Sequence, residues 1–135
     1  MENLKILILD DEPIVGKYLK PALSKYGINA EIFQDPDRAL ARMNETGFDI
    51  VVTDIRMKGI DGLKVLEWIR SRFARTKVIV ITGYSSREVE REALTKGAFA
   101  FITKPFKPRD LRLAIHKAAK ALGHPGVAST EGTGP

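Results

Sequence analysis

The stretch Phe48-Asp49-Ile50-Val51-Val52-Thr53-Asp54 decides the fold class. Residues 50–54 are mostly apolar and β-branched, and they end abruptly in a carboxylate. A continuous apolar run of this length is typical of a parallel strand buried on both faces. A helical pattern follows from about Gly62 to Arg72. We therefore predict that Asp54 lies at the carboxyl end of a strand in a βα unit, which is the edge where open α/β sheets bind ligands.

Four more apolar segments alternate with helical patterns along the chain. The predicted strands lie at residues 4–9, 30–33, 50–54, 77–82 and 98–103, and the predicted helices at 13–26, 36–45, 62–72, 85–96 and 108–122. Ser85 and Glu88 are spaced as a capping box that opens the fourth helix. Strands that alternate with helices predict an α/β fold, with a five-stranded parallel sheet and helices on both faces.

Length and composition limit the class of protein. The chain has 135 residues, of which 44% are hydrophobic and 29% charged, as in a soluble globular domain. We expect one domain over residues 1–122 and a flexible tail over 123–135, where periodicity is lost. No run approaches the roughly 18 apolar residues of a membrane span, and the N-terminus lacks the form of a signal peptide. A cytoplasmic protein is the default expectation, and the absence of cysteine excludes thiolate metal sites.

The positive charge is concentrated in the last third of the fold. Residues 83–122 carry 9 Lys and Arg against 4 Asp and Glu, whereas residues 1–82 carry 13 against 12. A solvated set of helix faces explains this surplus most simply. The alternative is a docking face for an acidic protein partner, centred on Arg87, Arg91, Lys107, Arg109 and Arg112. We expect no nucleic-acid binding, because no recognition-helix segment follows.

Polar residues end several of the predicted strands. Asp10 and Asp11 follow the first strand, Thr82 ends the fourth, and Lys104 follows the fifth. In the doubly wound order 2-1-3-4-5 the first and third strands are neighbours, which brings Asp10 and Asp11 to Asp54. Carboxylates 4 Å apart repel by about 4 kcal/mol at an effective dielectric constant of ~20. A cation would relieve that repulsion, and Mg²⁺ suits an all-oxygen ligand set.

This set of side chains is suited to phosphoryl transfer. A carboxylate can attack phosphorus and form an aspartyl phosphate, and the reaction needs chiefly positioning and cations on the phosphoryl oxygens. Asp54 is the best candidate nucleophile because it stands alone at its strand end. Asp10 and Asp11 would hold the metal ion, Lys104 would supply a second positive charge, and Thr82 a hydrogen-bond donor.

These motifs together resemble the response-regulator receiver domain (CheY-like) over residues 4–122. The matching positions are Asp10-Asp11, Asp54, Asp61-Gly62, Thr82 and Lys104-Pro105. The resemblance implies a (βα)5 flavodoxin-like fold. It also implies phosphorylation of Asp54 by a histidine kinase or phosphotransfer protein with Mg²⁺ or Mn²⁺. The backbone carbonyl of Arg56 would complete the metal site, and the Lys104–Pro105 peptide would be cis.

The resemblance further implies a switch. Thr82 and Phe101 would move on phosphorylation and remodel the face formed by the fourth helix, fifth strand and fifth helix. That face would bind a protein target, control an output domain absent from this chain, or form a phosphorylation-dependent dimer. The domain would act as a phosphoacceptor and not as an enzyme on other substrates, although it would catalyse its own phosphorylation and slow autodephosphorylation.

Three residues depart from the family pattern. Phe101 stands where tyrosine is frequent, so the switch would lack a hydroxyl. Lys58 stands where proline usually follows Met57, which leaves the loop looser beside the site. Arg56 lies two residues beyond Asp54, and we expect it to alter the lifetime of the phosphoryl group in a direction that the sequence leaves open.

Other protein classes fit less well. A haloacid-dehalogenase-like phosphatase needs a second Asp two residues after its nucleophile, where this chain has Glu12 or Arg56. A flavodoxin-like nucleotide binder needs a loop of N–H donors in place of the acidic residues 10–12. A receiver fold used as a constitutive interaction module, never phosphorylated, is the closest alternative. Whether the chain is a free-standing receiver or part of a longer regulator stays open.

Overall fold

A computed structural model describes residues 4–57, 59–83 and 86–124. The helices are α1 (Pro13–Ser24), α2 (Pro36–Glu45), α3 (Gly62–Arg72), α4 (Arg87–Thr95) and α5 (Pro108–Ala121). The strands are β1 (Ile6–Leu9), β2 (Ala30–Phe33), β3 (Ile50–Asp54), β4 (Arg56–Met57), β5 (Ile60–Asp61), β6 (Lys77–Thr82) and β7 (Ala100–Thr103). The predicted alternation of strands and helices is confirmed.

The main sheet has five parallel strands in the order β2-β1-β3-β6-β7. Counted among sheet strands alone, this is the predicted order 2-1-3-4-5. Leu9 pairs with Thr53, and Asp54 pairs with Ile81 on β6. The register therefore brings the carboxyl ends of β1, β3 and β6 to one edge, where the candidate reacting groups were expected.

Side chains that alternate along the strands fill two hydrophobic cores, one on each face of the sheet. In β3, Ile50 and Val52 pack with residues of α1 and α5. Val51 packs on the opposite face with residues of α2, α3 and α4. All five residues of β3 are buried, and complete burial of an aliphatic side chain contributes about 1.5–3 kcal/mol. This two-sided burial is why the decisive stretch is a continuous apolar run.

Three helices begin at residues whose side chains accept a backbone hydrogen bond. Asp35 caps α2 and Asp61 caps α3, as the sequence indicates. The cap of α4 is Ser86, whose hydroxyl oxygen accepts the N–H of Val89 at 3.1 Å. The predicted cap, Ser85, lies outside the described residues. The helix begins one residue later than its sequence pattern predicted, because the extended backbone of a cap falls at Ser86.

Local differences from the predicted boundaries occur at turns. α1 continues through Pro21 but ends at Ser24, and a turn with Gly27 at a φ of 79° follows. The loop after β3 contains a short antiparallel hairpin, β4–β5, in which Met57 pairs with Ile60. Two-residue strands leave no periodic pattern, so the sequence did not predict them. Of the predicted tail, residues 125–135 lie outside the described part of the chain. None of the described helices is long and apolar enough to span a membrane.

Candidate functional site

Three carboxylates surround one ammonium group at the carboxyl edge of the sheet. The Nζ atom of Lys104 lies 2.8 Å from Oδ2 of Asp54, 2.8 Å from Oδ2 of Asp10 and 2.8 Å from Oε1 of Glu12. The side chains of Asp10 and Asp54 are 1% and 6% exposed, whereas that of Glu12 is 58% exposed. The structure thus brings together Asp10, Asp54 and Lys104, which sequence reasoning placed here, and adds Glu12, which it did not.

The Asp54 carboxylate is held at both of its oxygen atoms. Oδ1 accepts the backbone N–H of Arg56 at 2.9 Å, and Oδ2 accepts a hydrogen bond from Lys104 at 2.8 Å. Since the side chain is buried at the end of β3, these two contacts fix its direction. A carboxylate fixed in this way is prepared to attack a group delivered from the open side of the site.

Gly62 sets how closely α3 approaches Asp54. A Cβ atom at Gly62 would overlap the carbonyl oxygen of Asp54 and the backbone of Ile55. The Gly62 N–H donates to the carbonyl of Ile55 at 2.8 Å. The glycine after Asp61 is therefore required by the close approach of the helix to the end of the strand that carries Asp54.

Burial and the clustered charges act on the pKa values of this site in opposite directions. Burial raises the pKa of Asp10 above its ordinary value of 3.8, although the ammonium group of Lys104 lowers it. Burial alone would lower the pKa of Lys104, but the carboxylates of Asp10, Asp54 and Glu12 together raise it. Lys104 therefore stays cationic at neutral pH.

The carboxylates offer an oxygen-only set of ligands for a metal ion. Oxygen atoms of Asp10, Glu12 and Asp54 lie within 4.8 Å of one another. Oδ2 of Asp10 is buried and lies 2.8 Å from the ammonium nitrogen of Lys104, but it receives no aligned hydrogen bond within the described part of the chain. Hard divalent ions such as Mg²⁺ prefer oxygen ligands of this kind. The donor set therefore fits a metal ion.

Asp11 is not one of the three residues whose carboxylate oxygens lie within 4.8 Å of one another. It is half-buried and lines a shallow cavity of about 490 Å³ with the β4–β5 hairpin, which includes Arg56 and Asp61. The sequence showed three consecutive acidic residues after β1, but it did not show which side chains turn toward Asp54. The backbone carbonyl expected from Arg56 belongs to the same hairpin, and Lys58 lies outside the described residues.

The two residues predicted to form the switch lie on neighbouring strands. Thr82 is buried at the end of β6, and its carbonyl accepts the N–H of Lys104 at 2.8 Å. Phe101 on β7 is half-buried and packs against the core shared with α2, α3 and α4. The Lys104–Pro105 peptide is cis in this structure.

The basic residues of the last third of the fold have different surroundings. Arg87 and Arg91 line a shallow cavity on α4 beside Leu94, which is 45% exposed. The guanidinium of Arg112 instead lies 4.8 Å from the ring centroid of Tyr26, and its Nε is buried. Arg112 thus makes a cation–π contact with the ring of Tyr26, in the turn after α1, and the docking face for an acidic partner stays a prediction.

The comparisons with known proteins all point to the same family. The family model of the response regulator receiver domain matches residues 6–116. The regulatory protein AtoC of Escherichia coli (strain K12) is 38% identical over 114 residues, which are 84% of this chain. The chain spans only 25% of the length of AtoC and 29% of that of the transcriptional regulatory protein ZraR.

Solved receiver structures have the same architecture. A CheY-like receiver domain protein from Methanospirillum hungatei superposes with a TM-score of 0.83 at 31% identity, covering 88% of this chain and 95% of the other. The beryllofluoride-activated NtrC4 receiver domain dimer gives a TM-score of 0.83 at 29% identity, covering 87% and 98% of the two chains. The likeness supports the five-stranded parallel sheet of a CheY-like fold.

Proposed function

We propose, since this chain belongs to the response regulator receiver domain family of signalling domains, that it accepts a phosphoryl group on Asp54. One observation carries the proposal. The Asp54 carboxylate is buried at the carboxyl end of β3, and its Oδ2 is 2.8 Å from the ammonium nitrogen of Lys104. A nucleophile and the cation that a transferred phosphoryl group needs are thus already adjacent.

The donor would be a phosphohistidine on a sensor histidine kinase or a phosphotransfer protein. An oxygen of Asp54 attacks phosphorus, and an O–P bond forms as the P–N bond breaks. The electron pair of the broken bond stays with the imidazole nitrogen. Lys104 then contacts a phosphoryl oxygen, and its charge offsets the negative charge that gathers there in the transition state.

The acidic side chains would hold Mg²⁺, or Mn²⁺ in its place. We assign the ligands to Asp10, Asp11, Asp54 and the backbone carbonyl of Arg56. When bound, the ion supplies positive charge to the phosphoryl oxygens. The oxygen-only donor set supports this assignment, as does the buried Asp10 oxygen that has no aligned hydrogen bond.

Phosphorylation would be relayed through Thr82 and Phe101. The Thr82 hydroxyl would donate a hydrogen bond to the phosphoryl group, and Phe101 would pack inward behind it. Since Phe101 has no hydroxyl, its movement is a change of apolar packing alone. The face formed by α4, β7 and α5 would then bind a protein target, act on an output domain, or pair with a second copy, as the NtrC4 receiver domain is a dimer.

Intact-mass measurement tests this proposal directly. The protein is incubated with Mg²⁺ and acetyl phosphate beside an Asp54→Asn control. We expect one labile phosphoryl group on the wild-type chain, dependent on Mg²⁺ and absent from the control. A folded, Mg²⁺-bound protein that never gains a phosphoryl group from acetyl phosphate or from a histidine kinase would instead favour a constitutive interaction module.

A further inference from the structure

We propose that Glu12 is a positioning residue that holds Lys104 at the site until a phosphoryl oxygen replaces the Glu12 carboxylate. This inference rests on the proposed phosphoryl transfer to Asp54. It assigns a role to the one acidic side chain of the cluster that sequence reasoning left out. Glu12 would act through Lys104 and would make no contact with phosphorus.

Three carboxylate oxygens surround the ammonium nitrogen of Lys104. An ammonium group has three N–H donors, and two of them are donated at 2.8 Å to Oε1 of Glu12 and to Oδ2 of Asp54. Oδ2 of Asp10 lies 2.8 Å from the same nitrogen without an aligned hydrogen bond. A phosphoryl oxygen that takes the N–H now donated to Glu12 displaces that carboxylate, and this is the exchange of partners that we propose.

The exposed fractions of the three acidic side chains indicate that Glu12 is the one that leaves Lys104. The side chains of Asp10 and Asp54 are 1% and 6% exposed, so either would remain buried after losing the cation. A buried charge without a partner is costly. The Glu12 side chain is 58% exposed, and its carboxylate can return to water. The exchange at Lys104 thus costs least at Glu12.

The side chain of Glu12 contacts Lys104 and does not cap helix α1. Glu12 is the N-cap residue of α1, yet its side chain makes no capping hydrogen bond. Its backbone N–H donates to Oδ1 of Asp10 at 2.9 Å, which fixes the backbone. The side chain instead accepts a hydrogen bond from Lys104, 92 residues further along the chain.

The Glu12 carboxylate also lies where an anionic donor must arrive. Its negative charge disfavours binding of the donor, and its hydrogen bond occupies Lys104. We expect Glu12→Gln to lower the half-saturating concentration of acetyl phosphate about fivefold. The maximal rate of phosphorylation should change less than about twofold, because the reacting groups are intact. A merely structural role for Glu12 would not separate these two quantities.

Glu45→Gln is the matched control. Glu45 is 66% exposed and pairs with Arg42 at 2.9 Å on α2. The substitution therefore removes the same charge and one exposed ion pair, but away from the site. We expect it to leave both kinetic quantities as in the wild type.

Glu12→Asp separates the hydrogen bond from the charge. Aspartate keeps the negative charge but is one methylene too short to keep the contact with Lys104. If Glu12 acts by occupying Lys104, Glu12→Asp should lower the half-saturating concentration as Glu12→Gln does. If Glu12→Asp behaves as wild type while Glu12→Gln does not, only the field of the charge acts and the proposed exchange is wrong.

Calorimetric titration with Mg²⁺ gives the outcome that would overturn the proposal in favour of metal ligation. A ligand role predicts that Glu12→Gln weakens Mg²⁺ binding by about tenfold or more and slows phosphorylation. Identical kinetics in the wild type and in Glu12→Gln would also overturn the inference, but would leave phosphorylation of Asp54 intact. A wild-type chain that forms no adduct would defeat both, so the two failures are distinguishable.

Discussion

Strands β3 and β7 both end at the candidate site, but they are packed very differently. All five residues of β3 are buried, whereas the four residues of β7 are half-buried or exposed. β3 lies at the centre of the sheet between β1 and β6, and among the described strands β7 lies at the edge of the sheet, next to β6. Asp54, the proposed nucleophile, lies at the end of the buried central strand, whereas Phe101 and Lys104 lie on or next to the more exposed edge strand.

This difference in packing allows one site to contain both a rigidly held carboxylate and a segment that can change conformation. A reacting group needs a fixed direction, and a fully packed central strand supplies it. Segments that move are drawn from regions with few buried contacts. α4, which packs against β7, has one buried residue, Ala93. We therefore propose that the central strand β3 supplies the nucleophile, and that the edge supplies Lys104 and the conformational response.

The largest expected effect comes from replacing one isoleucine by alanine in each strand, which compares how tightly β3 and β7 are packed. Ile50 on β3 is fully buried, and Ile102 on β7 is partly buried against the same core. We expect Ile50→Ala to lower the free energy of unfolding by about 3–4 kcal/mol and Ile102→Ala by about half as much. Urea denaturation measures both. Equal losses of unfolding free energy would show that the two strands are equally well packed, which would contradict the difference described above.

Lys104→Ala tests what the edge contributes to chemistry. We expect phosphorylation by acetyl phosphate to slow by about 10²-fold, the usual effect of removing one group that stabilises developing charge. The three carboxylates would lose their shared cation, so the variant should also be less stable. Because Mg²⁺ can replace that cation, it should raise the melting temperature of Lys104→Ala more than that of the wild type. Unchanged phosphorylation kinetics would remove Lys104 from the site.

Asp10→Asn tests whether the buried negative charge of Asp10 lowers the stability of the folded protein at neutral pH. Because the folded pKa of Asp10 is raised above 3.8, the folded chain binds this proton more tightly than the unfolded chain does. The contribution of Asp10 to stability therefore falls as pH rises through the raised pKa. We expect Asp10→Asn to stabilise the protein by about 1–2 kcal/mol at neutral pH and by less in acid. A loss of stability at neutral pH would contradict this sign.

Phe101→Leu should have the smallest effect. A volume-conserving change in a half-buried position costs less than about 1 kcal/mol, and the rate of phosphorylation should change less than twofold. Only the response of the edge should differ, and hydrogen exchange of β7 and α4 amides on phosphorylation measures it. An unaltered exchange pattern would remove Phe101 from the switch.

The fold was accessible to sequence reasoning because central strands must be apolar on both faces. Residues 50–54 and 77–82 are continuous apolar, β-branched runs. The strand order came from the known doubly wound fold class and not from the residues themselves. The β4–β5 hairpin was not accessible, since a pair of two-residue strands has no period. Ser85 and Ser86 are adjacent, and only the backbone conformation decides that Ser86 caps α4.

Within the site, the contact between Asp54 and Lys104 was accessible from the sequence because both residues lie at strand ends, whereas the contact of Glu12 with Lys104 was not, because Glu12 lies in a turn. Asp54 and Lys104 follow directly from strand ends. Asp11 and Glu12 lie in the turn after β1, where side-chain directions depend on the start of α1. The contact between Glu12 and Lys104 was therefore not predicted. A signal was present in its position, since glutamate is not a favoured N-cap residue.

Mapping the phosphoryl group to one residue tests the central claim most directly. The protein is treated with Mg²⁺ and acetyl phosphate and then with borohydride, which reduces an aspartyl phosphate to homoserine, and its peptides are analysed by mass spectrometry. The assignment to β3 predicts reduction at Asp54 alone, only when Mg²⁺ is present. Reduction at Asp10 or Asp11, or an adduct that persists in Asp54→Asn, would contradict the assignment of the nucleophile to the central strand.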